Sequence, residues 1–237
     1  MHLKPEHPAL SEARSIHTKL RKEPMLQKSI LKPASANSKL GNGKGRIAKG
    51  AWRGFPLFFL TLEERATCPT TCDRWASCYG NAMPFAHRME SGATLEARLL
   101  LDVAKLAVKH PNGFAIRLHV LGDFYSAKYA RLWVDMLGQF PALHIYGYTA
   151  RVDGPISREI LRGRVKYPSR FWVRFSTNKP LETPGAIHAV HAEHSKELSA
   201  IVCPEQTGKA KSCLDCALCW SVTRNIAFID HDAKQKH

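Results

Sequence analysis

Phe114-Ala-Ile-Arg-Leu-His-Val-Leu-Gly-Asp-Phe-Tyr-Ser126 is the stretch whose reading decides the fold. Its apolar, β-branched first half reads as a strand over Phe114–Leu121. Gly122 breaks it, and Ser126 offers a hydroxyl to cap a helix from Ala127 to Phe140, which Pro141 ends. Leu143–Thr149 then reads as the next strand. Working outward, the same unit repeats. Upstream lie a strand at Phe55–Leu62 and a helix at Leu95–Lys109, stopped by His110-Pro-Asn-Gly113. Downstream lie a short helix at Pro155–Arg162 and a strand at Phe171–Ser176. The pieces Ala186–Val190, Ala200–Val202 and Ile226–Ile229 are further short strands. Strand–helix–strand alternation at this pitch predicts an α/β architecture of mostly parallel strands, taken here as a partial (β/α) barrel.

The strands alternate instead of running apolar throughout. Phe114, Ile116, Leu118 and Val120 oppose Arg117 and His119; Leu143 and Ile145 oppose His144, Tyr146 and Tyr148; Phe171, Val173 and Phe175 oppose Trp172, Arg174 and Ser176. With helices on the apolar faces, the others form an interior of cations and rings, which predicts a ligand pocket. Loops at the C-terminal strand ends are where α/β folds bind ligands. There the chain places a cysteine loop after the first strand, then Gly122-Asp123, Thr149 with Arg151, and Ser176 with Asn178. Asp123 is either the holder of a ligand amine or a turn residue.

Seven cysteines, an odd number, divide as three plus four. Cys68, Cys72 and Cys78 lie in one loop with spacing C-x3-C-x5-C. Three close thiols can bind three corners of a metal cluster and leave a fourth position open. Cys213, Cys216 and Cys219 form a C-x2-C-x2-C run of ferredoxin type, with Cys203-Pro204 upstream. Each set reads as a [4Fe–4S] site, with zinc as the alternative at the C-terminal one. Spacing does not decide which set Cys203 joins. His188, His191 and His194 recur every third residue and read as surface residues.

The net charge is +15 over 237 residues. Residues 1–50 carry eleven basic against three acidic side chains, a net +8. They form the first of three expected regions: a basic flexible arm (1–50), the partial barrel (51–200) and a cysteine-rich segment packed on it (201–237). Lys39, Lys44, Arg46 and Lys49, beside the glycines of Gly41-Asn-Gly-Lys-Gly45, are candidate contacts to nucleic acid or nucleotide. No run of about 18 apolar residues is present, and the N-terminus lacks a signal-type apolar stretch. The expected setting is cytoplasmic, without membrane contact, in a bacterial host or phage-infected cell.

The chain resembles an uncharacterised phage and prophage family labelled gene product 88-like, over about Asn37–His231. The segments that carry this are L-T-L-E-E-R-A-T-C-P-T-T-C-D-R-W-A-S-C-Y-G-N, R-L-H-V-L-G-D-F-Y-S, Y-G-Y-T-A-R and C-P-E-Q-T-G-K with C-L-D-C-A-L-C-W. More loosely it is similar to radical S-adenosylmethionine enzymes, which implies a cluster on Cys68, Cys72 and Cys78. It also implies cofactor contacts from Gly122 and Asp123, with Thr149, Arg151, Ser176 and Asn178 on the same rim. This chain departs from that pattern in its longer last spacer, in Ser77 before the last cysteine, and in having one glycine before Asp123. The expectation is an iron–sulfur enzyme needing an electron donor. The alternatives are a metal-stabilised module that binds nucleic acid through its arm, and an electron carrier.

Overall fold

The computed structural model describes residues 1–22 and 28–229. One sheet holds eight strands: β1 (Lys32–Pro33), β2 (Leu57–Phe59), β3 (Phe114–Leu118), β4 (Leu143–Thr149), β5 (Phe171–Ser176), β6 (His188–His191), β7 (Ile201–Val202) and β8 (Ile226–Phe228). Their order is β1-β2-β3-β4-β5-β6-β8-β7. The β1–β2 pair is antiparallel and the other pairs are parallel. Helices α1 (Ala93–Lys109), α2 (Ala127–Gln139) and α3 (Gly154–Lys166) make the crossovers between β2 and β5. The sheet is not closed, because its edges, β1 and β7, are two residues long and do not pair with each other. A mixed α/β fold is therefore present, without a barrel's closure.

Local sequence explains the crossovers. Leu95, Leu99 and Val103 put one fully buried stripe of α1 on the sheet. Ser126 Oγ accepts the Tyr129 N–H at 3.0 Å and starts α2. Phe114, Ile116, Leu118, Leu143, Ile145, Phe171, Val173 and Phe175 all pack into this helix-side core. Each such side chain contributes roughly 1.5–3 kcal/mol.

The opposite face differs from expectation. A second core fills much of it: Leu40, Ile47 and Trp52 from the N-terminal segment meet Ala115, Tyr146, Leu214 and Trp220. His144 sits against Trp52 and Phe55 at ring distances of 5.0 and 4.9 Å. Trp172 packs at the edge of the same cluster. His144 thus packs on rings of this core and Trp172 against its edge. Arg174 is fully buried and donates to the carbonyls of Cys219, His188, Arg224 and Val222, so it braces the C-terminal segment. His119 is on the other side altogether, bonded to Tyr129 of α2 at 3.0 Å. The strand ends at Leu118, and period-two alternation ends with it.

The described part of the arm is folded against the rest and is not a free tail. Leu3, Ala9, Ser15, Ile30, Leu31, Leu40 and Ile47 are all buried. Within it lie one helical turn at Pro8–Ser11 and a 3-10 turn at Thr18–Leu20. The glycine-rich stretch is a tight turn, since a Cβ on Gly41 would stand 2.1 Å from the Lys44 carbonyl oxygen. Residues 230–237, expected as the end of the cysteine-rich segment, lie outside the described residues.

Candidate metal and cofactor sites

The first thiol loop leaves β2 through a one-turn helix, Glu64–Thr67. Two carboxylates fix that turn. Glu63 Oε1 accepts the Ser15 N–H at 3.1 Å, and Glu64 Oε1 accepts the Ser15 hydroxyl at 2.8 Å. Glu64 also pairs with buried Arg88 at 2.7 Å. The loop itself is strapped by the first residues of the chain. Leu3 N–H donates to the Ala76 carbonyl, Asn81 Nδ2 to the Met1 carbonyl, and Trp75 Nε1 to the Leu10 carbonyl. Arg65 donates to the Trp75 and Arg14 carbonyls and to Asn81 Oδ1.

Cys68, Cys72 and Cys78 are half-buried free thiols near enough to act on one another electrostatically. Burial raises all three, and Asp123 and Glu64 push Cys68 up further. Cys78 is pushed up to about 11.

Three further rim loops meet here. Asp123 N–H donates to Thr67 Oγ1 at 3.1 Å, and Arg151 donates to the Thr67 carbonyl at 2.9 Å. The Asp123 carboxylate accepts the N–H groups of Phe124 and Ala150, at 2.7 and 2.8 Å, and the Thr149 hydroxyl. It therefore clasps two loops together. Burial raises its carboxyl to about 6 against those donors. Gly122, at φ +84°, allows the approach, because a Cβ there would lie 2.6 Å from Thr67 Oγ1. Asn178 is held through His191, whose N–H donates to Asn178 Oδ1 at 2.9 Å and whose ring meets Arg74 of the cysteine loop at 3.0 Å. Ser176 is exposed at the end of β5.

In the second group, Cys203 lies with Cys213, Cys216 and Cys219: the four line one small cavity, with Trp220 in its wall. Residues 39–48 hold this segment by backbone bonds, Cys213 N–H to the Lys39 carbonyl and Leu214 N–H to the Leu40 carbonyl. Ser212 caps the turn Cys213–Cys216. Tyr148 Oη donates to Cys219 Sγ at 2.9 Å. Burial pushes Cys213 up to about 12, with Arg117 the strongest opposing charge.

Of the basic residues predicted to meet nucleic acid, three have contacts within the chain, and Lys44, Arg46 and Lys49 are exposed. Lys39 pairs with Glu205 at 3.4 Å and Lys44 with Asp215 at 3.2 Å, while Arg46 donates to the Gly54 carbonyl at 2.7 Å. Lys49 is near Cys216. Arg117 and Tyr148 remain half-buried on the inner face, the guanidinium 5.8 Å from the ring. Tyr79, 36% exposed, is within electrostatic reach of Arg117, Cys78 and Cys68. Sequence reasoning missed Ser15, Glu63, Glu64, Tyr79 and Trp220. The acid pair just before the cysteine loop and the tryptophan just after Cys219 were the available signals.

Among the described residues, no three or more His, Cys, Asp or Glu side chains stand close enough to hold a single metal ion. None of the helices is long and apolar enough to cross a membrane, again among the described residues.

A sequence model of the family described as Gene product 88 matches residues 26–234, so the chain belongs to that family. No curated protein and no solved structure matches it. The looser likeness to radical S-adenosylmethionine enzymes finds no support in these comparisons.

Proposed function

We propose that this member of the Gene product 88 family is an iron–sulfur protein. Its rim loop would hold a cluster with one open iron for S-adenosylmethionine, and its C-terminal thiols a second, saturated cluster. The observation that carries this reading is the spatial division of the thiols. Four line one cavity, and the other three gather at the rim beside the loops that follow β3 and β4. The donor set fits iron–sulfur chemistry. A zinc ion with bonds near 2.3 Å would draw its four sulfurs to about 3.8 Å from one another. Four thiols lining one cavity offer one sulfur to each iron of a cluster.

When bound, the open cluster would supply the electron that cleaves the cofactor's carbon–sulfur bond. The chain's own residues do the rest. Asp123, Thr67 and Arg151 hold three rim loops in one arrangement. Asp123, Glu64 and Asp73 act on the rim thiols beside Arg65 and Arg74, and those acids are the groups there that a sulfonium or an ammonium would meet favourably. Arg117, Tyr148 and Tyr79 line the way to the inner face. A partial barrel would describe the curvature such a site needs. The nucleic-acid reading keeps the net charge and the exposed Lys44, Arg46 and Lys49, of which Lys44 also pairs with Asp215.

The test is incubation of anaerobically prepared protein with S-adenosylmethionine and dithionite, followed for 5′-deoxyadenosine. Formation that is lost in Cys72→Ser is expected. Iron-loaded protein that neither binds nor cleaves the cofactor would remove the open-site reading.

A further inference from the structure

We infer that the four-thiol site is a redox centre and not a fixed staple, with Tyr148, Tyr146, Trp220 and Arg117 as the donor shell that stabilises the charge of an added electron. This rests on the iron–sulfur reading above. Tyr148 Oη already donates to Cys219 Sγ at 2.9 Å. The other three offer buried donors, Tyr146 Oη, Trp220 Nε1 and Arg117 Nε, that have no acceptor among the described residues.

Their positions converge. Trp220 walls the thiol cavity. Tyr146 packs on Trp220 at 4.5 Å between ring centres. Arg117 is the strand partner of Tyr146 across β3 and β4, and its guanidinium is the strongest charge acting on Cys213.

A buried donor without an acceptor carries an uncompensated desolvation cost. Phenylalanine at either ring position would fill the same core without that cost, and a structural knuckle requires only its thiolates and a packed shell. Donors alone, with no acceptor facing them, call for an anion. Thiolate and sulfide sulfurs are such acceptors, and hydrogen bonds to them set a cluster's potential. One electron from a low-potential one-electron donor enters without making or breaking a bond. The site becomes one charge more negative, and the shell's donors answer that charge.

The experiment uses the full chain, reconstituted anaerobically, with Cys68, Cys72 and Cys78 changed to serine so that only the second site titrates. Tyr148→Phe, Trp220→Phe and Arg117→Gln are compared with that parent by iron content and by a dithionite titration followed by electron paramagnetic resonance. Unchanged iron with midpoints shifted negative is expected, most for Arg117→Gln, which removes a full charge. Midpoints equal to the parent's with iron intact overturn the donor shell. A parent that takes up no iron overturns the iron–sulfur reading instead. Should Arg117→Gln fail to fold, Tyr148→Phe decides, since it removes one oxygen and no packing.

Discussion

The two thiol groups are built from different materials. The rim loop is polar, with charges of both signs against it: Asp123, Glu64 and Asp73 oppose thiolate formation there, while Arg74 favours it at Cys72 and Arg65 at Cys78. The C-terminal group lies beside an aromatic core, with Cys203 and Cys216 buried and Cys213 and Cys219 half-buried. Cations prevail around it: Arg117 and Lys39 favour the Cys213 thiolate, Arg174 the Cys219 thiolate and Lys49 the Cys216 thiolate, against Glu205 at Cys216. One segment of the chain serves each. Residues 1–17 strap the rim loop, and residues 39–48 hold the C-terminal segment. The difference teaches that similar ligands can be set for different tasks. An acid-lined loop suits a cationic ligand at an open position, and a donor-lined cavity suits an anion kept from water.

The largest expected effect breaks the comparison from the buried side. Changing Cys216 and Cys219 to serine should remove the second site's iron and cost on the order of 5–10 kcal/mol, as loss of a structural metal does. Cys72→Ser should cost under about 1 kcal/mol while emptying the rim site. Anaerobic denaturant unfolding with iron analysis compares the two, and equal losses would mean that the groups are not distinct in role.

Next comes Arg88→Met, which leaves Glu64 buried without its cation. A loss of about 3–5 kcal/mol is expected, with faster hydrogen exchange confined to residues 68–78. Retained iron at the second site would confirm that the two supports are independent.

The acid side can be sharpened by pH. Burial raises the Asp123 carboxyl from 3.8 to about 6, so the folded chain holds that proton more tightly than the unfolded one. Its stabilising contribution is fully present below about pH 4 and is lost as pH rises through about 6, a change of up to about 3 kcal/mol. The stability difference between the metal-free wild type and Asp123→Asn should shift in favour of the variant across that window. A difference that is flat with pH would contradict the assignment. The smallest effect belongs to Lys44→Ala. Its exposed pair with Asp215 should be worth under about 1 kcal/mol and vanish in high salt.

Much of the sheet was legible because each strand carries its own period. Phe114, Ile116 and Leu118 pointed to the helices, as their alternation requires. His119 could not be read the same way, because a strand's end is set by its neighbours and not by its own residues. The arm misled for a related reason. Lysine-rich sequence between prolines looks free, but Ser15 finds its acceptors 48 and 49 residues away. The interior was half legible. Arg117, Tyr146 and Tyr148 do face it, whereas Trp52 and Trp220, which fill it, come from segments with no periodic signal. Membership of Cys203 was beyond spacing and needed the cavity itself.

The central claim is that seven thiols make two iron–sulfur sites of different character. Iron and acid-labile sulfide per chain, measured on anaerobically isolated wild type and on the Cys68, Cys72 and Cys78 triple serine variant, test it most directly. The account predicts about eight irons with matching sulfide in the first and about four in the second. A colourless protein holding zinc and no sulfide in both would contradict it.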